Sequence, residues 1–312
     1  MNELVAIRGA ARSWEGQRQP CALVTIVKVS GSSYRRPGAQ MLVPAEGATV
    51  GTISGGCLEG DAIEIARRVL NSGIAESATW DLTSTTDDDW GLGGGCNGIL
   101  EARIEPVTPA VLARMNDALR AVLVERRITR VSIPLGAETF VQTLEPPTQL
   151  YVAGEGADTS PLLAQAAALG WPGHLVRDAN ALETGPVPPG PSPSPTTDAF
   201  TAIVVMSHRF DFDRACLGIA LRSGAFYVGV LGPAARTQRL LIELQGQTPH
   251  FSDGELARLH APAGLDIGAE SPEEIATSIL SEIAAVRRGR GGGSLRDRHG
   301  PIHGGSDHLS PE

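Results

Sequence analysis

Cysteine is scarce in this chain, with four residues in 312, and Cys21, Cys57, Cys96 and Cys216 are scattered too widely to read as a disulfide framework. Reduced thiols are the working expectation. No C-x-x-C pair and no clustered His-x-x-His accompanies any of them, which argues against a structural zinc site. Positive charge is also short: Lys and Arg number 26 against 35 Asp and Glu, a formal net charge of -9. That balance argues against a general binder of nucleic acid or of anionic membrane, whose phosphates an acidic surface repels. No uninterrupted apolar segment reaches the roughly 20 residues that span a bilayer, and no early stretch combines a basic start, an apolar run and a cleavage site. The expectation is a soluble, cytoplasmic protein with no nucleic-acid and no membrane partner. No internal repeat is evident.

What is present is a composition that is 42% hydrophobic and 20% charged, in a chain long enough for two domains. Helical spacing through Leu4, Ile7 and Ala11 predicts an opening helix that Pro20 stops. Cys21 to Val29, Gln40 to Val43 and Thr49 to Ile53 read as strands separated by glycine and proline turns. Apolar positions Ile63, Ala66 and Leu70 mark a helix that begins just after Cys57. Alternation through Leu100, Ala102 and Ile104 predicts a half-buried strand leaving the Cys96 loop, followed by a helix over Val111 to Val124 and strands at Arg130 to Ile133 and Thr139 to Thr143. Beyond Glu145-Pro146-Pro147-Thr148 the texture changes to strand alternating with helix, the pattern of a doubly wound parallel sheet. The fold class is therefore α/β: a mixed α/β domain over 1–147, a Rossmann-like domain over 148–290 and a Gly/Arg-rich flexible tail over 291–312. The proline-rich stretch 185–195 reads as an exposed loop, and Pro272 to Val286 as a last helix capped by Ser271.

Two of the four cysteines lie in glycine-dense loops, Cys57 in Ser54-Gly55-Gly56-Cys57-Leu58-Glu59-Gly60 and Cys96 in Gly91-Leu92-Gly93-Gly94-Gly95-Cys96-Asn97-Gly98. Such loops let backbone approach a ligand while the thiol offers a soft, nucleophilic atom. The plainer alternative for each is a small buried residue where segments converge. At the start of its helix Cys57 meets a positive dipole end, partly opposed by Glu59 and Asp61. Nearby, Gly31-Ser32-Ser33-Tyr34-Arg35-Arg36-Pro37-Gly38-Ala39 packs two guanidinium groups into a turn, suited to phosphate or carboxylate or simply to water. The run Asp87, Asp88, Asp89 reads as a solvated loop rather than a metal site. In the second domain Gly154-Glu155-Gly156 ends a strand and precedes a helix, where loop amides suit a phosphate. The dinucleotide fingerprint is incomplete, because Thr159 replaces the third glycine and Arg177 stands close to the expected place of the ribose-binding acid. Met206-Ser207-His208 ends another strand at the carboxyl edge, and Arg236 and Arg239 lie one turn apart after Gly232-Pro233, either guarding an anion or facing water.

Several of these strings together, residues 31–39, Ser54 to Glu59, Gly91 to Gly98 with Glu105-Pro106, Val205 to His208, Leu231 to Arg236 and Pro262 to Glu270, resemble the XdhC/CoxI family of accessory proteins for molybdenum hydroxylases. Residues 293–297 and 300–303 are similar to that family's closing segment. The resemblance implies a family-specific N-terminal domain joined to a Rossmann-like one, and a non-enzymatic chaperone that binds molybdenum cofactor across or near the domain interface. It also implies support for sulfuration of that cofactor with a cysteine desulfurase, and delivery to the apoenzyme of a xanthine dehydrogenase or carbon monoxide dehydrogenase. On this reading Cys57, near molybdenum or its sulfur, is the first cofactor contact and Cys96 the second. Gly55 and Gly56 with Arg35 and Arg36 hold the anionic end, Gly154 and Gly156 the nucleotide end, and His208 adjoins them. A homodimer is expected. The alternative is an NAD(P)-dependent oxidoreductase built on the Rossmann-like domain.

Overall fold

The computed structural model describes residues 1–31, 33–83, 98–184, 197–246, 250–297 and 299. The loop that carries Cys96 and Asp87 to Asp89, the proline-rich stretch 185–195 and the closing segment from 300 lie outside the described residues. The chain divides into two compact units, Met1–Pro146 and Pro147–Glu312.

The first unit runs α1 (Asn2–Gly16), β1 (Cys21–Gly31), β2 (Gln40–Pro44), β3 (Val50–Gly51), α2 (Glu59–Ser72), β4 (Glu76–Asp81), β5 (Gly98–Pro106), α3 (Pro109–Leu123), β6 (Thr129–Leu135) and β7 (Glu138–Leu144). Its main sheet has the order β3-β2-β1-β5-β4 with every pairing antiparallel. β1 lies at the centre, which explains its apolar residues on both faces. Ala22, Val24 and Ile26 pack with Ala62, Ala66 and Val69 of α2, while Cys21 and Leu23 pack with Ile7 and Ala11 of α1 and Val111 and Leu112 of α3. Successive side chains of a strand point to opposite faces, so one continuous apolar run serves two cores. Between Ile26 and Lys28 the register against β5 shifts, the mark of a bulge. The expected strand at Thr49 to Ile53 contracts to β3, because Gly51 takes φ +86° and its Cα abuts the Gln40 carbonyl, where a Cβ would sit 2.5 Å away. A separate hairpin of β6 and β7 completes the unit.

The second unit runs β8 (Gln149–Ala153), α4 (Thr159–Ala168), β9 (Gly173–Val176), α5 (Ala181–Thr184), β10 (Thr201–Val205), α6 (Phe210–Arg222), β11 (Tyr227–Val230), α7 (Ala234–Gln245), α8 (Asp253–Leu256), β12 (Leu259–His260) and α9 (Pro272–Arg287). The five strands are parallel in the order β12-β11-β10-β8-β9. Leu150, Val152, Ala202 and Val204 face α4 and α9, whereas Tyr151, Ala153, Ile203 and Val205 face α5, α6 and α7. Both faces are covered, as a parallel sheet requires. From β8 the chain winds outward to β9 and then returns to build β10, β11 and β12 on the other side. The carboxyl ends of β8 and β10 therefore flank the point where winding reverses, the place where open α/β sheets bind ligands. α9 begins with the capping box of Ser271 and Glu274. The described part of the tail includes a short 3-10 turn at Leu295–Asp297, and a Cβ at Gly292 would lie 2.8 Å from the Leu265 side chain.

Candidate functional site

In the first unit the predicted loop residues gather around one carboxylate. Glu59, the first residue of α2, turns back and accepts hydrogen bonds from the backbone amides of Ile53 (3.1 Å), Ser54 (2.9 Å), Gly55 (3.2 Å), Gly56 (2.8 Å) and Leu58 (3.3 Å). The hydroxyls of Thr52 (2.5 Å) and Ser54 donate to it as well. Such a wrap is possible because Gly55 and Gly56 take φ of +93° and +126°, which point successive amides to one side. Partial burial raises the Glu59 pKa, but the donors from Ser54, Thr52 and the backbone outweigh it and hold the carboxyl well below its usual range. The glycine amides expected to receive an external anion are thus already engaged by the chain's own carboxylate.

Arg35 is engaged too. Its guanidinium pairs with Glu3 of α1, whose other oxygen accepts the Thr52 amide at 3.2 Å. This chain of contacts ties α1, the 34–36 turn and the Cys57 loop into one assembly. Tyr34 completes it: the ring lies against Gly55 so closely that a Cβ there would meet Cδ1 at 3.2 Å. Cys57 is open to solvent, as are Tyr34, Gly55, Arg36 and Gly56, around whose Cα no atom lies within reach of an added Cβ. Cys21 and Cys216 are buried instead, and burial pushes their thiols up to about 11 and about 12 respectively. Sequence reasoning missed the anchoring role of Glu59. Its signal is present, an acidic residue following a Ser-Gly-Gly loop at a helix start, but along the chain it reads only as an opponent of thiolate formation.

In the second unit Gly154, Gly156 and His208 share the sheet edge at the winding reversal. Gly154 is buried against the end of β10, and a Cβ would stand 2.9 Å from the Met206 carbonyl oxygen. Close strand packing alone accounts for this glycine. Gly156 has open space around it. His208 adopts φ +61°, and the turn is fixed by Ser207, whose amide (3.2 Å) and hydroxyl both donate to Asp213. Asp213 is fully buried and its second oxygen lies 2.7 Å from Arg236. The approach is an ion pair without the alignment of a hydrogen bond, since neither terminal nitrogen of Arg236 has a hydrogen-bond partner. Arg236 therefore neither faces water nor reaches outward for an anion; it is turned inward, held by a charge that burial would otherwise make costly. Arg239 is exposed, its guanidinium 5.5 Å from the Phe210 ring centre.

Among the described residues no group of three or more His, Cys, Asp and Glu side chains is arranged to hold a metal ion, and no helix is long and apolar enough to cross a membrane. Comparison with known proteins places both units. The family model described as XdhC and CoxI matches residues 14–81, and that described as XdhC Rossmann domain matches residues 150–283. The chain belongs to the XdhC/CoxI family. Among its relatives, a Bacillus subtilis protein described as a probable xanthine dehydrogenase component is 29% identical, over 87% of this chain and 94% of that protein. The molybdenum cofactor insertion chaperone PaoD of Escherichia coli is 27% identical, over 85% of this chain and 83% of that one. A crystal structure from Bacillus halodurans, described as a xanthine dehydrogenase, superposes with a TM-score of 0.73 at 26% identity, covering 91% of this chain and 96% of that one.

Among the described residues, two pairs of the strings that carry the XdhC/CoxI resemblance meet in space. Residues 34–36 and 54–59 join through Tyr34, Glu3 and Glu59. Ser207-His208 and Arg236 join through Asp213. The string from Pro262 to Glu270 is held by Glu282 of α9, which accepts the Gly264 amide (2.8 Å) and the Tyr227 hydroxyl (2.6 Å), with His260 Nδ1 at 3.3 Å. Burial, and then the bond to Glu282, raises the Tyr227 pKa far above its ordinary value.

Proposed function

We propose that this chain is a maturation factor for a molybdenum hydroxylase, taking up molybdenum cofactor as cargo at the Cys57 loop and passing it to the apoenzyme. The observation that carries this reading is the exposed Cys57 thiol on a loop that Glu59 fixes from beneath. A soft sulfur held at a defined place is a ligand suited to molybdenum or to a transferable sulfur atom, and a preset loop loses little freedom on binding. Arg36 is exposed beside the same assembly and supplies a guanidinium fork for the phosphate end of the cofactor. Because Arg35 is committed to Glu3, its part is to place the turn that carries Arg36. The relative PaoD, named as a molybdenum cofactor insertion chaperone, supports the same assignment.

On this proposal the protein works in the cytoplasm as a homodimeric, cofactor-binding chaperone without a turnover reaction of its own. It favours the sulfurated form of its cargo, with the sulfur supplied by a cysteine desulfurase, and its client is an apoenzyme of the xanthine dehydrogenase or carbon monoxide dehydrogenase type. Cys96 is retained in this proposal as the second thiol. The test is anaerobic addition of isolated molybdenum cofactor to the purified protein, followed by gel filtration and molybdenum quantification. Wild type is expected to retain molybdenum well above a control protein and Cys57→Ala to lose most of it. Equal retention by the two proteins removes Cys57 from the site, and no retention by wild type overturns the proposal.

A further inference from the structure

The turn that follows β1 brings one aromatic ring to the surface beside the Cys57 loop. Tyr34 is 69% exposed, yet its ring is seated: it lies on Gly55, where an added Cβ would meet Cδ1 at 3.2 Å and Cε1 at 3.3 Å. Among the described residues every other Phe, Tyr and Trp is buried or half-buried, so the exposure of this ring sets it apart. We infer that Tyr34 is the stacking residue of the cofactor site, its ring taking the planar pterin of the cargo while Arg36 meets the phosphate and Cys57 the metal and sulfur end. The inference rests on the Cys57 reading and adds to it the part of the cargo that the loop recognises.

The geometry of the ring is the first support. One part is held against Gly55, which has φ +93° and no side chain to stand in the way, and the rest is left to solvent. A ring fixed in place loses little freedom when a second flat ring is laid on it, and the stacked pair gains both buried area and favourable quadrupole contact. The neighbours are the second support. Along the turn Tyr34 and Arg36 are exposed, while Arg35 between them is half-buried and paired with Glu3. Among the described residues the Arg36 guanidinium has no ion-pair or hydrogen-bond partner, so its fork is available to an anion. The third support is spacing. Two residues of chain span at most about 7 Å. The Cα of Arg36 therefore lies within that reach of Tyr34, and the Cα of Cys57 within that reach of the glycine on which the ring is seated. Molybdenum cofactor joins a fused pterin to a dithiolene that holds the metal and to an arm that ends in phosphate. A π face, a soft thiol and a guanidinium gathered on one small assembly answer those three parts in turn.

Anaerobic equilibrium dialysis of the full-length protein against two ligands tests this. Isolated molybdenum cofactor carries every group; pterin-6-carboxylate carries the flat ring and an anion but neither metal nor sulfur. Wild type is expected to bind both saturably, pterin-6-carboxylate with a Kd below about 1 mM. Tyr34→Leu keeps an apolar cover over Gly55 but has no π face, and should weaken both ligands about tenfold, as removal of an aromatic platform beneath a base does. Tyr34→Phe restores the ring and should return both to within about twofold of wild type. Cys57→Ala should weaken the cofactor alone. Circular dichroism and thermal melting check the fold of each variant. Cofactor binding by Tyr34→Leu equal to wild type, a Tyr34→Phe variant as weak as Tyr34→Leu, or absence of saturable binding of pterin-6-carboxylate overturns the inference. Cofactor binding that follows Tyr34→Leu but ignores Cys57→Ala removes Cys57 from the site and leaves Tyr34 in it, so the two failures are distinguishable.

Discussion

Replacing Glu59 by glutamine tests whether one carboxylate organises the whole Cys57 loop. Five amides and two hydroxyls converge on it. The amides of Gly55 and Gly56 belong to exposed residues and find water when the charge is removed, but Ile53, Ser54 and Leu58 are buried. A hydrogen bond to a charged group contributes about 1.5–3 kcal/mol and a neutral one about 0.5–1.5, so each buried donor loses roughly 1 kcal/mol in Glu59→Gln. The sum over three donors is about 2–3 kcal/mol, or a melting shift of roughly 5–10 °C for a unit of this size. The pH dependence has a definite sign. The folded-state pKa of Glu59 is depressed below the ordinary 4.5, so its contribution is fully present above that value and is lost as pH falls toward the folded pKa. Urea unfolding followed by tryptophan fluorescence should therefore show the full deficit of Glu59→Gln at pH 7 and a clearly smaller one at pH 3.5. Hydrogen exchange on the peptide spanning residues 52–58 should rise in the variant and localise the loss. A deficit below about 0.5 kcal/mol at pH 7, or one equal at both pH values, would falsify the claim that the carboxylate is the anchor.

Three further outcomes follow from packing and exposure. Gly154→Ala should destabilise the second unit by about 1–3 kcal/mol, because its Cβ would stand 2.9 Å from the backbone that continues β10, whereas Gly156→Ala, with open space around it, should leave the melting temperature nearly unchanged; calorimetry of the two variants checks the contrast. Asp213→Ala leaves the Arg236 guanidinium without its buried partner and is expected to cost about 3–5 kcal/mol, read by chemical denaturation. Iodoacetamide labelling of native protein at pH 8, with peptide mass spectrometry, should modify Cys57 within minutes and leave Cys21 and Cys216 unmodified until denaturant is added. Rapid native labelling of Cys216 would contradict its complete burial.

Much of the architecture is legible along the chain. The alternation of strand and helix after Pro147, the dual apolar faces of β1 and the capped start of α9 all rest on local spacing, which backbone geometry converts directly into faces. β4 is one of the elements not legible there, with the short α5, α8 and β12. It is an edge strand whose only buried residue is Trp80, so its alternation carries little apolar signal. The contraction of β3 has a similar cause, since it depends on how closely Gly51 approaches a neighbouring strand.

The candidate site was legible as strings but not as partnerships. Sequence by itself determined the two-part α/β organisation, the glycine loop presenting Cys57, and the turn bearing Arg35 and Arg36. Only the tertiary structure decided that Arg35 answers Glu3, 32 residues away, and that Glu3 answers the Thr52 amide, 49 residues away. It also decided that Glu59 fills the amides of Gly55 and Gly56, and that Asp213 turns Arg236 inward. The physical reason is that spacing encodes which face a side chain takes, whereas the charge it meets there is set by how separate elements pack, and a guanidinium or carboxylate is satisfied by whichever partner the fold brings within about 3 Å.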